Sequence, residues 1–220
     1  RKMVQVNIQS LSGKGTPTPI TLNSNATLAD LKQEYKKVKR VGIERQAFYY
    51  VNAEGKRGEM IKGETTTLTV KDNDSLIFKN LGPQVGYRTV FLVEYFGPLT
   101  AFPVIFLLNY LFYGLKFSDL SYAQTVALAL FCAHFIKREL ETLFVHKFSN
   151  GYMPLFNIFK NTTYYTGCAY YIAYYVLHPQ YTSPPDQWVN IWAVIVVLNM
   201  IGNLICHIIL SNLRPPGTTA

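Results

Sequence analysis

Beyond Gly97 the chain changes character, and that change limits its possible folds more than any other feature. Four apolar segments follow, at residues 98–115, 122–136, 162–177 and 189–210. A helix needs about 20 residues to cross ~30 Å of hydrocarbon, so the second and third segments are short by themselves. The second can continue as helix through 137–148, lifting its charged end out of lipid. The third is loaded with tyrosines (Tyr164, Tyr165, Tyr170, Tyr171, Tyr174, Tyr175). Tyrosines favour an interface or a protein-lined cavity over bare lipid, and both helix packing and pocket lining stay open here.

Charge divides in the same way. Of 21 Lys and Arg, 15 lie in residues 1–100 and 6 beyond, while the acids divide 9 and 4. The net charge of +8 is not gathered into an arginine-rich stripe, which argues against nucleic acid. Anionic lipid headgroups or a phosphate-bearing ligand suit the excess better. Cys132, Cys168 and Cys206 sit in apolar segments without CxxC spacing, so buried free thiols are expected rather than disulfides or zinc. No cleavable signal peptide opens the chain, and its first residue is Arg, as expected of a trimmed form of something longer.

Residues 1–80 read as a small soluble domain, 81–97 as a linker at the membrane edge and 98–220 as a helical membrane domain. MVQVNIQ alternates as a strand, SGKG supplies a turn, and 19–22 is a second strand. Thr27 is suited to cap a helix, with Asp30 reaching back to it, and Leu28, Leu31 and Tyr35 mark one apolar face. Strands follow at 47–51 and 75–78, with turn-forming residues at 52–55. This order resembles the ubiquitin-like β-grasp fold, which by itself carries no chemistry. No double glycine follows, which argues against a conjugating modifier. The expected fold class is α+β: a β-grasp domain followed by about four membrane spans. Lys137, Arg138, Lys147, Lys160 and Arg214 fall on one side of such spans, which places the N-terminal domain on the same, cytosolic face.

The unusual polar residues gather at that face. The stretch from His134 to Asn161 packs two histidines, four basic residues and two glutamates between apolar segments. His134 and Arg138 are four apart on one helix face, and Lys137 and Glu141 on a neighbouring one. Lys137–Glu141 reads ordinarily as a solvated pair worth a few tenths of a kcal/mol, yet ionisable residues at membrane depth are more often functional. Glu94 stands among apolar residues in FLVEYFGPL. Asn203 and His207 share one face of IGNLICHIIL and need either another helix or a polar ligand as partner. Arg214, before Pro215, Pro216 and Gly217, ends that helix where its forked donors suit a phosphate.

Taken together, HFIKRELETLFVHKFSNGYMPLFNIFKNTTYY, FLVEYFGPL, HPQYTSPP and GNLICHIILSNLRPPG resemble the trans-2-enoyl-CoA reductases of very-long-chain fatty acid elongation, in the steroid 5α-reductase superfamily. The resemblance implies a multi-pass endoplasmic-reticulum enzyme that uses NADPH to saturate the double bond of a 2-enoyl-CoA, the last step of each elongation cycle. It implies an acyl-CoA substrate, membrane lipid around the chain and elongase components as partners. By position it makes Lys137 the lysine required for activity and Glu94 a group near the substrate carbonyl. It places Asn203, Arg214, Asn150, His207 and Arg138 toward NADPH, and it implies no metal. Hydride adds to the β-carbon and a proton to the α-carbon, so a lysine or protonated carboxyl within ~3 Å would stabilise the charge gathering on the thioester oxygen. Relatives carry tyrosine where this chain has Phe135, and they continue into further spans with a catalytic tyrosine, so a chain ending at Ala220 is expected to lack the C-terminal part and to be inactive alone. A steroid or polyprenol reductase, and a non-catalytic adaptor with a ubiquitin-like domain, are the alternatives.

Overall fold

A computed structural model describes residues 2–13, 15–148 and 151–213 of the protein, which divides into two compact units. The first holds β1 (Met3–Ser10), β2 (Thr18–Asn23), α1 (Leu28–Lys39), β3 (Gln46–Val51), β4 (Arg57–Met60) and β5 (Ser75–Asn80). The sheet order is β2-β1-β5-β3-β4, with β1 and β5 parallel and the other pairs antiparallel. Alternation explains β1: Val4, Val6 and Ile8 point inward while their neighbours face outward. They meet Leu28, Leu31 and Tyr35 on the buried face of α1, together with Phe48, Leu76 and Phe78. A mixed five-stranded sheet holding one helix is the β-grasp arrangement expected from the sequence.

Local chemistry fixes the start of α1. The Asp30 N–H donates to Thr27 Oγ1 at 3.3 Å and the Thr27 N–H donates to Asp30 Oδ2 at 2.8 Å, a reciprocal cap. The Thr27 amide, then its hydroxyl, holds the Asp30 carboxyl below its ordinary range. The sequence reading has no counterpart of β4, because RGEM is polar and exposed, without apolar alternation. Its hairpin turn is what makes the strand: Asn52 Oδ1 accepts from the N–H groups of Glu54 and Lys56 at 3.1 and 2.7 Å, and Gly55 adopts φ +73°.

The second unit consists of α2 (Tyr87–Tyr113), α3 (Tyr122–Phe144), α4 (Phe156–Val176) and α5 (Asp186–Asn212). Two of these, α2 and α5, are long and apolar enough to cross a membrane, with mean hydropathies of 1.8 and 2.3. Helix α2 starts at Tyr87, well before the apolar run from Pro98, and passes through both Pro98 and Pro103. Helix α4 likewise starts at Phe156 rather than near Thr162, and α3 stops at Phe144 rather than reaching Phe148. Ala101, Phe102 and Ile105 pack against Ala169, Ala173 and Leu177. Asn109 Nδ2 donates to the Leu177 carbonyl at 2.7 Å, satisfying a backbone group at the end of α4. Close approach of α2 and α4 depends on Gly97, where a Cβ would stand 2.0 Å from Thr166 Oγ1.

Candidate active site

Where α2, α3 and α5 meet, one carboxylate serves two cations. Glu141 is 2% exposed and pairs with Lys137 Nζ at 2.6 Å and with Arg138. Lys137, 17% exposed, also donates to Asn203 Oδ1 at 2.9 Å. Arg138 spreads its guanidinium across three helices. Its Nη2 donates to the Tyr95 hydroxyl at 2.5 Å, and its Nη1 reaches Asn203 Oδ1 at 3.3 Å and His207 Nε2 at 2.7 Å. Because Arg cannot accept, His207 Nε2 must be the acceptor. Helix spacing explains the convergence: Lys137, Arg138 and Glu141 lie within one turn of α3, while Asn203 and His207 are one turn apart on α5. The Thr142 hydroxyl bonds the Arg138 carbonyl at 2.9 Å and secures that turn.

Of the residues singled out from sequence, this arrangement unites Lys137, Arg138, Asn203 and His207. Glu94 is not among the partners of the cluster. It is buried on α2 with Oε1 unpartnered, and Asn161 of α4 is its polar neighbour. Asn150 and Arg214 lie outside the described residues. The ordinary solvated-pair explanation of Lys137–Glu141 does not apply, in keeping with the weight that membrane depth carried in the sequence reading: Glu141 is 2% exposed and is shared with Arg138. Three participants were not singled out: Glu141 as the hub, Tyr95 and His146. Tyr95 gives no signal in sequence beyond standing next to Glu94. His146 lies two residues past α3, with its ring centroid 4.6 Å from that of His207.

Burial, followed by the nearby His207, pushes the His146 imidazole down from 6.5 to about 4, and its Nε2 has no hydrogen-bond partner among the described residues. The unfolded chain therefore binds a proton near pH 6.5 that the folded chain accepts only near pH 4. The stability contributed by neutral His146 is fully present above its unfolded pKa and is lost as pH falls through that window. Thermal unfolding midpoints measured across it should drop with pH, and His146→Gln should flatten the slope. An unchanged slope in that variant would remove His146 as the cause. Glu141, His146 and His207 place one ligand atom each within 4.8 Å of one another, a spacing that a divalent cation accepts. Arg138 Nη1, which bonds both Glu141 and His207, already holds the cationic position among them.

Two cations against one carboxylate leave the cluster positively charged while His146 is neutral. A net charge removed from water is costly unless an opposite charge meets it. The charge suits the phosphates of a nucleotide cofactor, which Arg138 would hold together with the remaining donors of the acceptors it bonds, the Asn203 amide N–H and the Nδ1–H of neutral His207.

No family model matches the chain. A curated relative, the very-long-chain enoyl-CoA reductase of Dictyostelium discoideum, is 38% identical and aligns with 99% of this chain and 74% of its own. The trans-2,3-enoyl-CoA reductase-like protein of Bos taurus is 34% identical over 90% of this chain and 56% of its own. Among solved structures, a ubiquitin from Caldiarchaeum subterraneum aligns with 37% of this chain and all of its own, at 20% identity and a TM-score of 0.29. An alignment that runs through both units at this identity leaves one assignment: the chain belongs to the very-long-chain enoyl-CoA reductase family.

Proposed function

We propose that the protein reduces the trans-2 double bond of long- and very-long-chain enoyl-CoA with NADPH, as the last step of fatty acid elongation in the endoplasmic-reticulum membrane. The observation that carries this reading is the hydrogen-bonded cluster of Lys137, Arg138, Glu141, Asn203 and His207, built around the buried Arg138 and Glu141, in otherwise apolar helices. Bound NADPH supplies the hydride. Lys137, held by Glu141 and Asn203, is the donor for the thioester oxygen as negative charge gathers there. Glu94, with one carboxyl oxygen unpartnered, would as a carboxylic acid donate to the same oxygen. Arg138 and His207 hold cofactor phosphates, joined by Asn150 and Arg214 as the resemblance implies.

Helix directions support a four-span, multi-pass arrangement, while the cytosolic placing of the N-terminal domain is supported by the Lys and Arg residues between α3 and α4. Tyr122 of α3 bonds Asn190 of α5 and Lys137 bonds Asn203, so these two helices run parallel. Helices α2 and α4 are also parallel, since Thr100 meets Tyr170 and Asn109 meets Leu177. Arg138 against Tyr95 and Phe131 against Phe102 set α3 antiparallel to α2. At ~1.5 Å per residue, α3 and α4 each reach ~30 Å, enough to cross.

The test is NADPH oxidation by the purified protein in lipid nanodiscs with a long-chain trans-2-enoyl-CoA. Lys137→Ala should lower kcat by about 10²-fold or more, the scale of losing one oxyanion donor, in a protein that still folds because Arg138 keeps Glu141 paired. Full turnover in that variant would take Lys137 out of the mechanism, and inertness of the protein together with the C-terminal part that the resemblance implies would refute the reductase reading.

A further inference from the structure

We propose that Tyr95 is a positioning residue of the cofactor site: it fixes the Arg138 guanidinium and so decides which of its donors a phosphate meets. The inference deepens the reductase reading and rests on it, since that reading gives Tyr95 no task.

Packing holds the ring first. Tyr95 lies on α2 and is 7% exposed. Three rings enclose it, Phe91 of α2 at 5.7 Å between centroids, Phe135 of α3 at 6.4 Å and Tyr165 of α4 at 6.4 Å. A ring packed on three sides has little freedom to turn. Phenylalanine would fill this space as well, so the hydroxyl needs its own explanation: a buried phenol without a partner is costly.

Arg138 supplies that partner. Its Nη2 donates to the Tyr95 hydroxyl at 2.5 Å, and its guanidinium carbon stands 4.7 Å from the centroid of the Tyr95 ring. One side chain thus holds the cation twice, by a hydrogen bond and by its π face. The other partners of the guanidinium, Glu141, Asn203 and His207, lie on α3 and α5 and all take Nη1. Without Tyr95 the planar group would be pinned at that one corner and free to pivot there. With Tyr95 in place, Nε and one Nη2 hydrogen are left without a partner among the described residues, and these are the donors a phosphate would meet. An arginine already frozen in this way spares the cofactor the cost of ordering it.

The experiment uses the protein together with the C-terminal part that the resemblance implies, in lipid nanodiscs. NADPH is titrated without substrate and read by nicotinamide fluorescence, and initial rates with a long-chain trans-2-enoyl-CoA follow. Tyr95→Phe keeps the ring and removes the hydroxyl. It should weaken NADPH binding about tenfold, the scale of one hydrogen bond to a charged group, and raise the KM for NADPH by the same factor. Both kcat and the KM for enoyl-CoA should move far less, a split that a general loosening of the helices does not produce. Tyr165→Phe removes a hydroxyl that, among the described residues, has no bond to Arg138, and it should leave NADPH affinity unchanged. Full NADPH affinity in Tyr95→Phe, or a change of kcat and both KM values together, would overturn the proposal. NADPH binding absent from the unmodified protein would overturn the reductase reading with it, so the two failures are told apart.

Discussion

Glu141→Ala is expected to destabilise the helical unit by about 3–5 kcal/mol, the range for removing one partner of a buried ion pair. The size follows from what is left behind. Lys137 and Arg138 would remain within the bundle without the only carboxylate that faces both of them among the described residues. Neighbouring groups cannot replace it: Asn203 and His207 are neutral acceptors already in use, and the Tyr95 hydroxyl already accepts from Arg138. The consequence spreads to α5, which has no buried residue of its own. Among the described residues its side-chain bonds to α3 are those of Asn203 and His207 at one end and Asn190 with Tyr122 at the other. Polar contacts between membrane helices average only ~0.6 kcal/mol, so α5 docking has little reserve once the Glu141 end loosens. Thermal unfolding in nanodiscs, with hydrogen exchange along α5, reads both effects. Glu141→Gln, which keeps the shape and one acceptor, should lose less. A total loss below about 1 kcal/mol for Glu141→Ala would reduce the cluster to the standing of a surface pair.

Which parts were legible in the sequence depended on whether the signal was local. Thr27, Asp30, Leu28, Leu31 and Tyr35 act within one helix, and the cap and buried face sit where their spacing puts them. Strand β4 was hidden because an edge strand of RGEM owes its existence to the Asn52 turn and to pairing with β3, neither of which shows in its own residues. The start of α2 was hidden by Gly97 and Pro98, which read as breaks in sequence, whereas Pro98 is buried within the helix and Gly97 lets Thr166 of α4 come close. Within the site, the spacing of Asn203 and His207 showed that they share a face and need partners. It could not show that the partners are Lys137 and Arg138, because that contact joins residues some 65 positions apart. For Glu141, helix spacing gives the pair with Lys137, whereas its near-complete burial with Arg138 beside it shows only in the folded helices.

Phe48→Ala should cost the β-grasp unit about 3–5 kcal/mol, the range for a buried phenylalanine. Phe48 is fully buried on β3 and meets two other rings, Tyr35 edge-on at 5.4 Å between centroids and Phe78 at 5.7 Å. Tyr35 and Phe78 also touch each other, at 4.6 Å, so the three rings join α1, β3 and β5 in one contact. Truncation removes the transfer term, leaves a void that a sheet fixed by its register cannot close, and forfeits aromatic pairing worth about 0.5–1.5 kcal/mol per pair beyond area. A small domain has only ~5–15 kcal/mol in total, so the loss places the variant near its unfolding threshold. Amide exchange in β3 and β5 of the whole protein should then rise by at least two orders of magnitude. Phe48→Leu should recover most of the stability but not the ring contact with Tyr35, and so separates volume from aromatic geometry. Protection in β3 and β5 that survives Phe48→Ala unchanged would mean that the sheet is held by its hydrogen-bonded register and that the rings merely fill it.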